Sequence, residues 1–300
     1  MLGNGIEAFG LRDDAAVVSP PGGGPLVVSV DSVVEGVHVD LSICSPADVG
    51  WKALMGALSD LAAVGAAPIG ALVALCVPGG SGHGELALGV MSGVAEASAA
   101  SGCQVVGGDV SEAGQLTVAV TVLGTVEPGG RPPVSRAGAQ PGDVVVLTGP
   151  CGASAAGLRQ LRARGSAAAD RGDLPEAYRR PVARIREGQL GRAADAHAMI
   201  DVSDGLALDL HRLADASGVG FELTSIPVAT GATREEALGG GEDYELVIAV
   251  DDVGLEEMAN AFGAAGLRAP VPLGVITAES STRTLGGNPL ERLGWQHTVG

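Results

Sequence analysis

Carboxylates set at the ends of apolar strands and beside glycine turns are the residues of this sequence best suited to chemistry. They recur along its whole length. Arg12-Asp13-Asp14-Ala15 is the first such place, followed by Ser29-Val30-Asp31-Ser32, which leads into Glu35-Gly36-Val37-His38. Ser59-Asp60-Leu61 lies in an Ala- and Leu-rich stretch, and Gly107-Gly108-Asp109 ends an apolar run. Asp201-Val202-Ser203-Asp204-Gly205 and Gly239-Gly240-Gly241-Glu242-Asp243-Tyr244-Glu245 complete the series. Magnesium takes oxygen ligands and usually binds through one or two carboxylates plus substrate phosphates. Several aspartates delivered by different strand ends therefore suit a site that holds a nucleotide through several magnesium ions.

Each motif also has a plainer explanation. Asp13-Asp14 fits a solvated turn, since adjacent carboxylates repel unless a cation lies between them or one faces water. Ser29 and Asp31 share a strand face and can aim oxygens at one place. Asp31 could equally cap a turn, and His38 could be a neutral surface histidine. Asp60 is disfavoured by propensity inside a helix, so it needs an exposed face or a partner. The glycines before Asp109 let backbone approach a phosphate or metal, or else close a turn with an Asx bond. A helix cap from Ser203 or Asp204 explains one polar residue of its motif, but not Asp201 emerging from an apolar strand. An EF-hand is excluded there, because Gly205 stands where a further ligand is needed. The glycines at 239–241 resemble a phosphate loop, yet no helix pattern follows. The acids and Tyr244 beside them suggest a substrate pocket.

Composition narrows the chemistry further. With 35 acids against 18 bases the formal net charge is −17, a surface that repels nucleic acid and anionic membranes. Lys52 is the sole lysine, so neither a Walker A loop nor a protein-kinase lysine motif is present. If ATP is handled, metal ions and arginines must neutralise its phosphates. Cys44, Cys76, Cys103 and Cys151 are widely spaced and form no CxxC pair, which argues against a disulfide framework or a structural zinc site. The N-terminal residues have no basic and apolar signal pattern, and no apolar run approaches the ~20 residues needed to span a bilayer. A reduced, cytoplasmic protein is expected.

The elements that must position these residues follow from hydrophobic pattern. Strands are expected at 26–30, 69–77, 104–106, 116–126, 143–148, 199–202, 244–250 and 271–276. Helices are expected at 47–64 after a Ser45-Pro46 start signal, and at 85–100, 152–164, 182–194, 205–216 and 255–265. The order is mixed rather than a strict βαβ repeat, which predicts an α+β (mixed α/β) fold. The breaker-dense segment from Glu127 to Pro133 divides the chain into halves at 1–130 and 131–300.

In their order these segments resemble the thiamine-monophosphate kinase family, part of a superfamily that includes aminoimidazole ribonucleotide synthetase. The resemblance runs from Asp13 to about His297. It is carried by Asp-Asp-Ala-Ala-Val, Val-Glu-Gly-Val-His, Trp-Lys-Ala-Leu, Leu-Ser-Asp-Leu-Ala-Ala, Gly-Gly-Asp, Val-Ser-Asp-Gly-Leu and Gly-Gly-Glu-Asp-Tyr-Glu-Leu. It implies ATP-dependent phosphorylation of thiamine monophosphate to thiamine diphosphate on a two-domain fold of the aminoimidazole ribonucleotide synthetase type. It also implies a homodimer joined through the N-terminal halves.

By that resemblance Asp14, Asp31, Asp60, Asp109, Asp201 and Asp204 ligate magnesium, Ser29 supports them, and Val30 offers only its carbonyl where a threonine is usual. Gly108, Asp109, Arg136 and Ser203 contact the nucleotide. His38, Glu242 and Trp295 contact thiamine monophosphate, Trp295 as a cation–π face for the thiazolium. Three features depart from the family pattern: Arg12 replaces a glycine, Ser101 falls where a tyrosine commonly stacks near adenine, and the leading helix is shortened or lost. The acceptor phosphate is already mostly a dianion at neutral pH. No general base is then needed, and direct in-line transfer is expected.

Rival expectations are a non-catalytic sensor of thiamine phosphates or ATP, or an aminoimidazole ribonucleotide synthetase, against which the Gly-Gly-Glu-Asp-Tyr-Glu segment argues. Selenophosphate synthetase-like chemistry would want a reactive cysteine and a lysine near the N-terminus. A hydrogenase-maturation relative would want a terminal cysteine, whereas Gly300 is last.

Overall fold

The structure, a computed structural model, describes residues 13–19, 24–127, 130–164 and 172–296. Arg12, the segment leading into Asp13, and His297 lie outside the described residues. The first half comprises β1 (Ala16–Val18), β2 (Leu26–Val34), α1 (Pro46–Ala63), β3 (Ala67–Pro78), α2 (His83–Ser101), β4 (Val105–Ala113) and β5 (Thr117–Thr125). The second comprises β6 (Val144–Leu147), α3 (Ala153–Arg164), α4 (Asp173–Arg179), α5 (Ile185–Ala193), β7 (Ala198–Asp201), α6 (Leu206–Ser217), β8 (Gly220–Leu223), α7 (Arg234–Gly239), β9 (Leu246–Val250), α8 (Asp252–Ala264), β10 (Val271–Thr277), β11 (Arg283–Leu285) and β12 (Asn288–Pro289).

Each half is built on one sheet with helices against it. The first runs β1-β2-β5-β3-β4, with only β3–β4 parallel. The second runs β12-β11-β8-β10-β6-β9-β7, with only β8–β11 parallel. These mixed sheets give the expected α+β class. No described helix is long and apolar enough to cross a membrane.

Helix α1 is the axis of the molecule. Ser45 caps it in a full capping box with Asp48, and Pro46 occupies the first turn, so its start is fixed locally. Its apolar residues, including Leu54, Leu58 and Leu61, are fully buried. It packs on β2, β5 and α2 of its own half and on α5 and β7 of the other. Ala62 and Ala63 share a core with Val146, Met199, Ile248 and Phe262 of the second half.

Glycine makes that approach possible. A Cβ at Gly188 of α5 would stand 2.0 Å from the Ala62 carbonyl oxygen, so the two helix backbones are in direct contact. Arg192, also on α5, extends across the seam, with Nε donating to the Gly65 carbonyl at 2.9 Å and Nη2 pairing with Glu127 at 2.8 Å.

One sequence expectation is corrected here, and one element lies where none was expected. The strand expected to end at Gly107-Gly108-Asp109 runs through that motif to Ala113. A Cβ at Gly108 would lie 2.0 Å from the Val73 carbonyl oxygen, so this glycine allows β3 and β4 to pair closely. Helix α7 ends at Gly239, the first glycine of the 239–241 triplet, and it went unpredicted because it is a single short segment set by a Thr233–Glu236 capping box.

The interhelical glycine contact yields a prediction. Gly188→Ala should overpack the α1–α5 seam and cost about 1–3 kcal/mol in urea unfolding. Gly263→Ala in α8, where the added methyl meets nothing within 4 Å, should be neutral or slightly stabilising. Equal stability of the two variants would contradict the close-packed seam.

Candidate active site

The carboxylates converge where α1 meets both sheets. Asp14 precedes β1, Asp60 lies in the last turns of α1, and Asp201 ends β7. One oxygen from each lies within 4.8 Å of the others. The supports are short and specific. Ser29 of β2 donates to Asp60 Oδ2 at 2.5 Å and to the Asp14 carbonyl at 3.0 Å, while Ser59 donates to Asp201 Oδ2 at 2.5 Å. Arg136 pairs with Asp14, and its backbone N–H donates to Asp13 at 3.1 Å.

One arginine does not balance this cluster. Two like charges 4.8 Å apart repel by roughly 3–4 kcal/mol at an effective dielectric near 20. Burial, opposed by Arg136, pushes the Asp14 carboxyl up to about 7. Burial and the charge of Asp14 push Asp201 up to about 7, and burial with the charge of Asp201 holds Asp60 well above the ordinary carboxylate range. Asp14 Oδ2 is buried without a hydrogen-bond partner. A donor set made of hard oxygens, with one left orphaned, fits magnesium.

The cluster opens into a cleft of about 760 Å³ whose lining includes Asp31, His38, Asp60, Ser203, Glu242 and Trp295. Both halves contribute to it. Asp31 lies on the same β2 face as Ser29, and burial raises its pKa. His38 accepts the Val34 N–H on Nδ1 at 3.1 Å. The opposite wall is the 240–245 loop, in which Gly241, Glu242 and Tyr244 all have left-handed backbone, at φ 68°, 56° and 50°. For Glu242 and Tyr244 this conformation is strained, and it is held by cross-bonds to the Asp201–Asp204 segment. The Glu242 N–H donates to the Ser203 carbonyl at 2.7 Å and the Tyr244 N–H to the Val202 carbonyl at 2.9 Å.

The remaining acids of the loop brace it from behind. Asp243 accepts the N–H groups of Gly152 and Ser154 at the start of α3, and burial raises it to about 6 despite those bonds. Buried Glu245 takes Arg184 at 2.7 Å and the Thr148 hydroxyl at 2.6 Å.

Sequence reasoning assigned Lys52 no role in the site, and the structure gives it a place there. It is 1% exposed, donates to Glu242 Oε2 at 2.7 Å, and lies 3.9 Å from the centroid of the Tyr178 ring. The signal was available, because Lys52, Gly56 and Asp60 recur at intervals of four and so share one face of α1.

Asp209 was missed as well. Helix α6 is not capped by Ser203 or Asp204 as expected; its N-cap is Gly205, at φ 138°. Asp209 Oδ2 accepts the N–H groups of Asp204 and Gly205 at 3.0 and 3.1 Å, and Arg212 bridges Asp204 (2.5 Å) and Asp209 (2.7 Å). Trp295 is half-exposed, and its backbone N–H donates to the Asp204 carbonyl at 2.9 Å.

A single chain does not bring every predicted residue to this place. Asp31, Val120 and Val73 are cross-strand partners on the helix-covered face of the first sheet. Val30 points to the other face, and so does Asp109, which pairs with Ala74 on edge strand β4. Asp109 accepts from Ser111 at 2.8 Å, and Gly108 lies beside it. Their separation from the cluster is a consequence of strand order, with β5 and β3 between β2 and β4. Ser101 closes α2, its hydroxyl donating back to the Ala97 carbonyl at 2.8 Å.

A pH dependence follows for the metal-free protein. Asp14 and Asp201 rise from 3.8 to about 7 on folding, so the stability they contribute is complete below about pH 4 and is lost as pH rises through 7. Asp201→Asn should flatten that slope. In EDTA at pH 8 the variant should exceed the wild type by about 1–4 kcal/mol in urea unfolding, with the gain vanishing near pH 4. An unchanged pH slope would contradict the buried repulsion.

Comparison with known proteins agrees with this architecture. Residues 12–126 match the family described as AIR synthase related protein, N-terminal domain, and residues 140–286 match AIR synthase related protein, C-terminal domain. The chain is 37% identical over 249 residues to the thiamine-monophosphate kinase of Bacillus subtilis, covering 79% of this chain and 76% of that one. It is 33% identical over 291 residues to the thiamine-monophosphate kinase of Methanospirillum hungatei, covering 95% and 92%. Among solved structures it resembles AaThiL complexed with AMPPCP and TMP, at 30% identity and TM-score 0.83, covering 95% and 91% of the two chains. It also resembles thiamine-monophosphate kinase from Stenotrophomonas maltophilia, at 30% identity and TM-score 0.79, covering 93% and 90%. Escherichia coli HypE, at 20% identity and TM-score 0.70, shares the fold. The chain therefore belongs to the thiamine-monophosphate kinase family of AIR synthase related proteins, and it is a kinase.

Proposed function

We propose that the chain transfers the γ-phosphoryl group of ATP to thiamine monophosphate, giving thiamine diphosphate by direct in-line displacement at a site holding several magnesium ions. The observation that carries this is the trio Asp14, Asp60 and Asp201, buried together with an orphaned oxygen at the foot of a cleft reached from both halves. The ligands named for AaThiL, AMPPCP and TMP, support the same pair of substrates here.

Asp14, Asp60 and Asp201 would hold magnesium, with Asp31 and Asp204 on the cleft side and Ser29 orienting Asp60. The bound ions would cancel the charge of two phosphate groups brought together and of the transition state between them. His38, Glu242 and Trp295 lie further along the cleft, where Glu242 offers negative charge and Trp295 an aromatic face to the cationic ring. Ser203 and Arg136 are assigned to the nucleotide phosphates. Because the acceptor phosphate is already mostly ionised, the carboxylates serve as ligands and orienting groups, and none is asked to remove a proton.

The working unit is proposed to be a homodimer. Edge strand β4 exposes Val106 and Val110 at 59% and 61%, and the uncovered sheet face exposes Val30 and Leu72 at 65% and 42%. A second copy against this surface would cover them and set Val30, Gly108 and Asp109 at the subunit boundary.

Purified protein incubated with ATP, magnesium and thiamine monophosphate should form thiamine diphosphate, with Asp60→Asn at least 100-fold slower yet folded. Failure of the wild type to turn over this acceptor, with turnover of another, would replace the substrate assignment. With ATP made chiral at the γ-phosphorus, the product should show inversion; retention would mean a phosphoenzyme.

A further inference from the structure

Tyr244 is the one residue of the Gly-Gly-Glu-Asp-Tyr-Glu loop whose polar atom enters the cleft without a protein partner. The side chain is 8% exposed and lines the cleft, and its hydroxyl has no hydrogen bond among the described residues. The hydroxyl reaches α1 beside Gly56, where a Cβ would stand 3.1 Å from Tyr244 Oη and 3.2 Å from Asp31 Oδ2. Glycine at 56 therefore lets the phenol and the Asp31 carboxylate occupy the same small space. The backbone at Tyr244 is left-handed, a cost sustained by the bond from its N–H to Val202, so the ring is held in position rather than placed by local preference.

The surroundings set what this hydroxyl can do. A phenol carries its proton at neutral pH and can donate it in a hydrogen bond. Once ionised, the carboxylates around it accept only, and Lys52, the nearby lysine, is already committed to Glu242. A phosphate monoester brought to the carboxylate end of the cleft needs donors for its oxygens, and there Tyr244, beside Asp31, supplies one.

We infer that Tyr244 is a catalytic residue that donates a hydrogen bond from its hydroxyl to a phosphate oxygen of the acceptor. This rests on the proposed transfer to a phosphate monoester. The bond would hold the acceptor phosphate in place through one of its non-attacking oxygens, a role that complements magnesium.

Tyr244→Phe removes the hydroxyl and keeps the ring. Loss of a hydrogen bond to a charged group predicts a fall of about 10- to 100-fold in kcat/KM for thiamine monophosphate, with KM for ATP changed less than about twofold. Calorimetric titration with thiamine monophosphate and with thiamine reads the contact without turnover: the wild type should prefer the phosphorylated ligand, and the variant should lose about tenfold of that preference. A variant with wild-type kcat/KM, or one that weakens thiamine and thiamine monophosphate equally, overturns the inference. An inactive wild type would instead show that the proposed reaction is wrong. Titration with inorganic phosphate in the presence of magnesium then decides the role of Tyr244, with unchanged affinity in the variant counting against it.

Discussion

Three carboxylates, that of Asp201 buried and those of Asp14 and Asp60 on partly buried residues, lie within 4.8 Å of one another with Arg136 against Asp14, and the rest of the structure is arranged around that repulsion. A folded chain tolerates it only if the flanking elements are rigid enough to prevent the acids from turning away. Helix α1 supplies most of that rigidity. It carries Ser59 and Asp60, is capped at its start by Ser45, and is clamped between a sheet of its own half and helix α5 of the other. Asp201 is fixed by the β7–β9 ladder and by Ser59, so the two halves meet at the charged centre itself. Opening the seam would disperse the cluster, which makes closure of the halves and assembly of the site one event.

The same logic extends up the cleft. A protein with a net charge of −17 that handles phosphates must keep its own carboxylates from repelling the ligand. It does so by giving each acid a fixed task. Asp209 is spent on the backbone N–H groups of Asp204 and Gly205, Asp243 on the start of α3, Glu245 on Arg184, and Glu242 on Lys52. The carboxylates to which cations are assigned under the proposed function are those at the foot of the cleft. Lys52 neutralises an acid instead of a phosphate, which reconciles a lone lysine with a kinase that lacks any lysine-bearing phosphate loop.

Much of this was legible in the sequence because the signals are local. Strand and helix positions followed hydrophobic period, the start of α1 followed its Ser-Pro and acid pattern, and Asp60 and Asp201 stood out by contradicting their apolar surroundings. What stayed hidden depends on contacts distant in the chain. Nothing near Asp109 says that two strands separate β4 from β2 or that its side chain faces the uncovered side of the sheet. Nothing near Asp209 announces that it accepts the N–H groups of Asp204 and Gly205 just ahead of α6. Short elements such as β8 and α7 escaped because they are too brief to show a period, their positions being set by pairing with β10 and by a capping box. The left-handed backbone at Glu242 and Tyr244 is likewise imposed by bonds to the Asp201–Asp204 segment, not by those residues' own preferences.

Divalent cations entering the Asp14–Asp60–Asp201 cluster, as proposed, would have to displace the protons that burial favours there. Calorimetric titration of the protein with magnesium at pH 6.5, in two buffers of different ionisation enthalpy, measures it most directly. Ions displacing protons from Asp14, Asp60 and Asp201 should give a buffer-dependent heat corresponding to net proton release, falling away by pH 9 and reduced in Asp201→Asn. Magnesium binding with no proton release at pH 6.5, or with release unchanged in that variant, would contradict it.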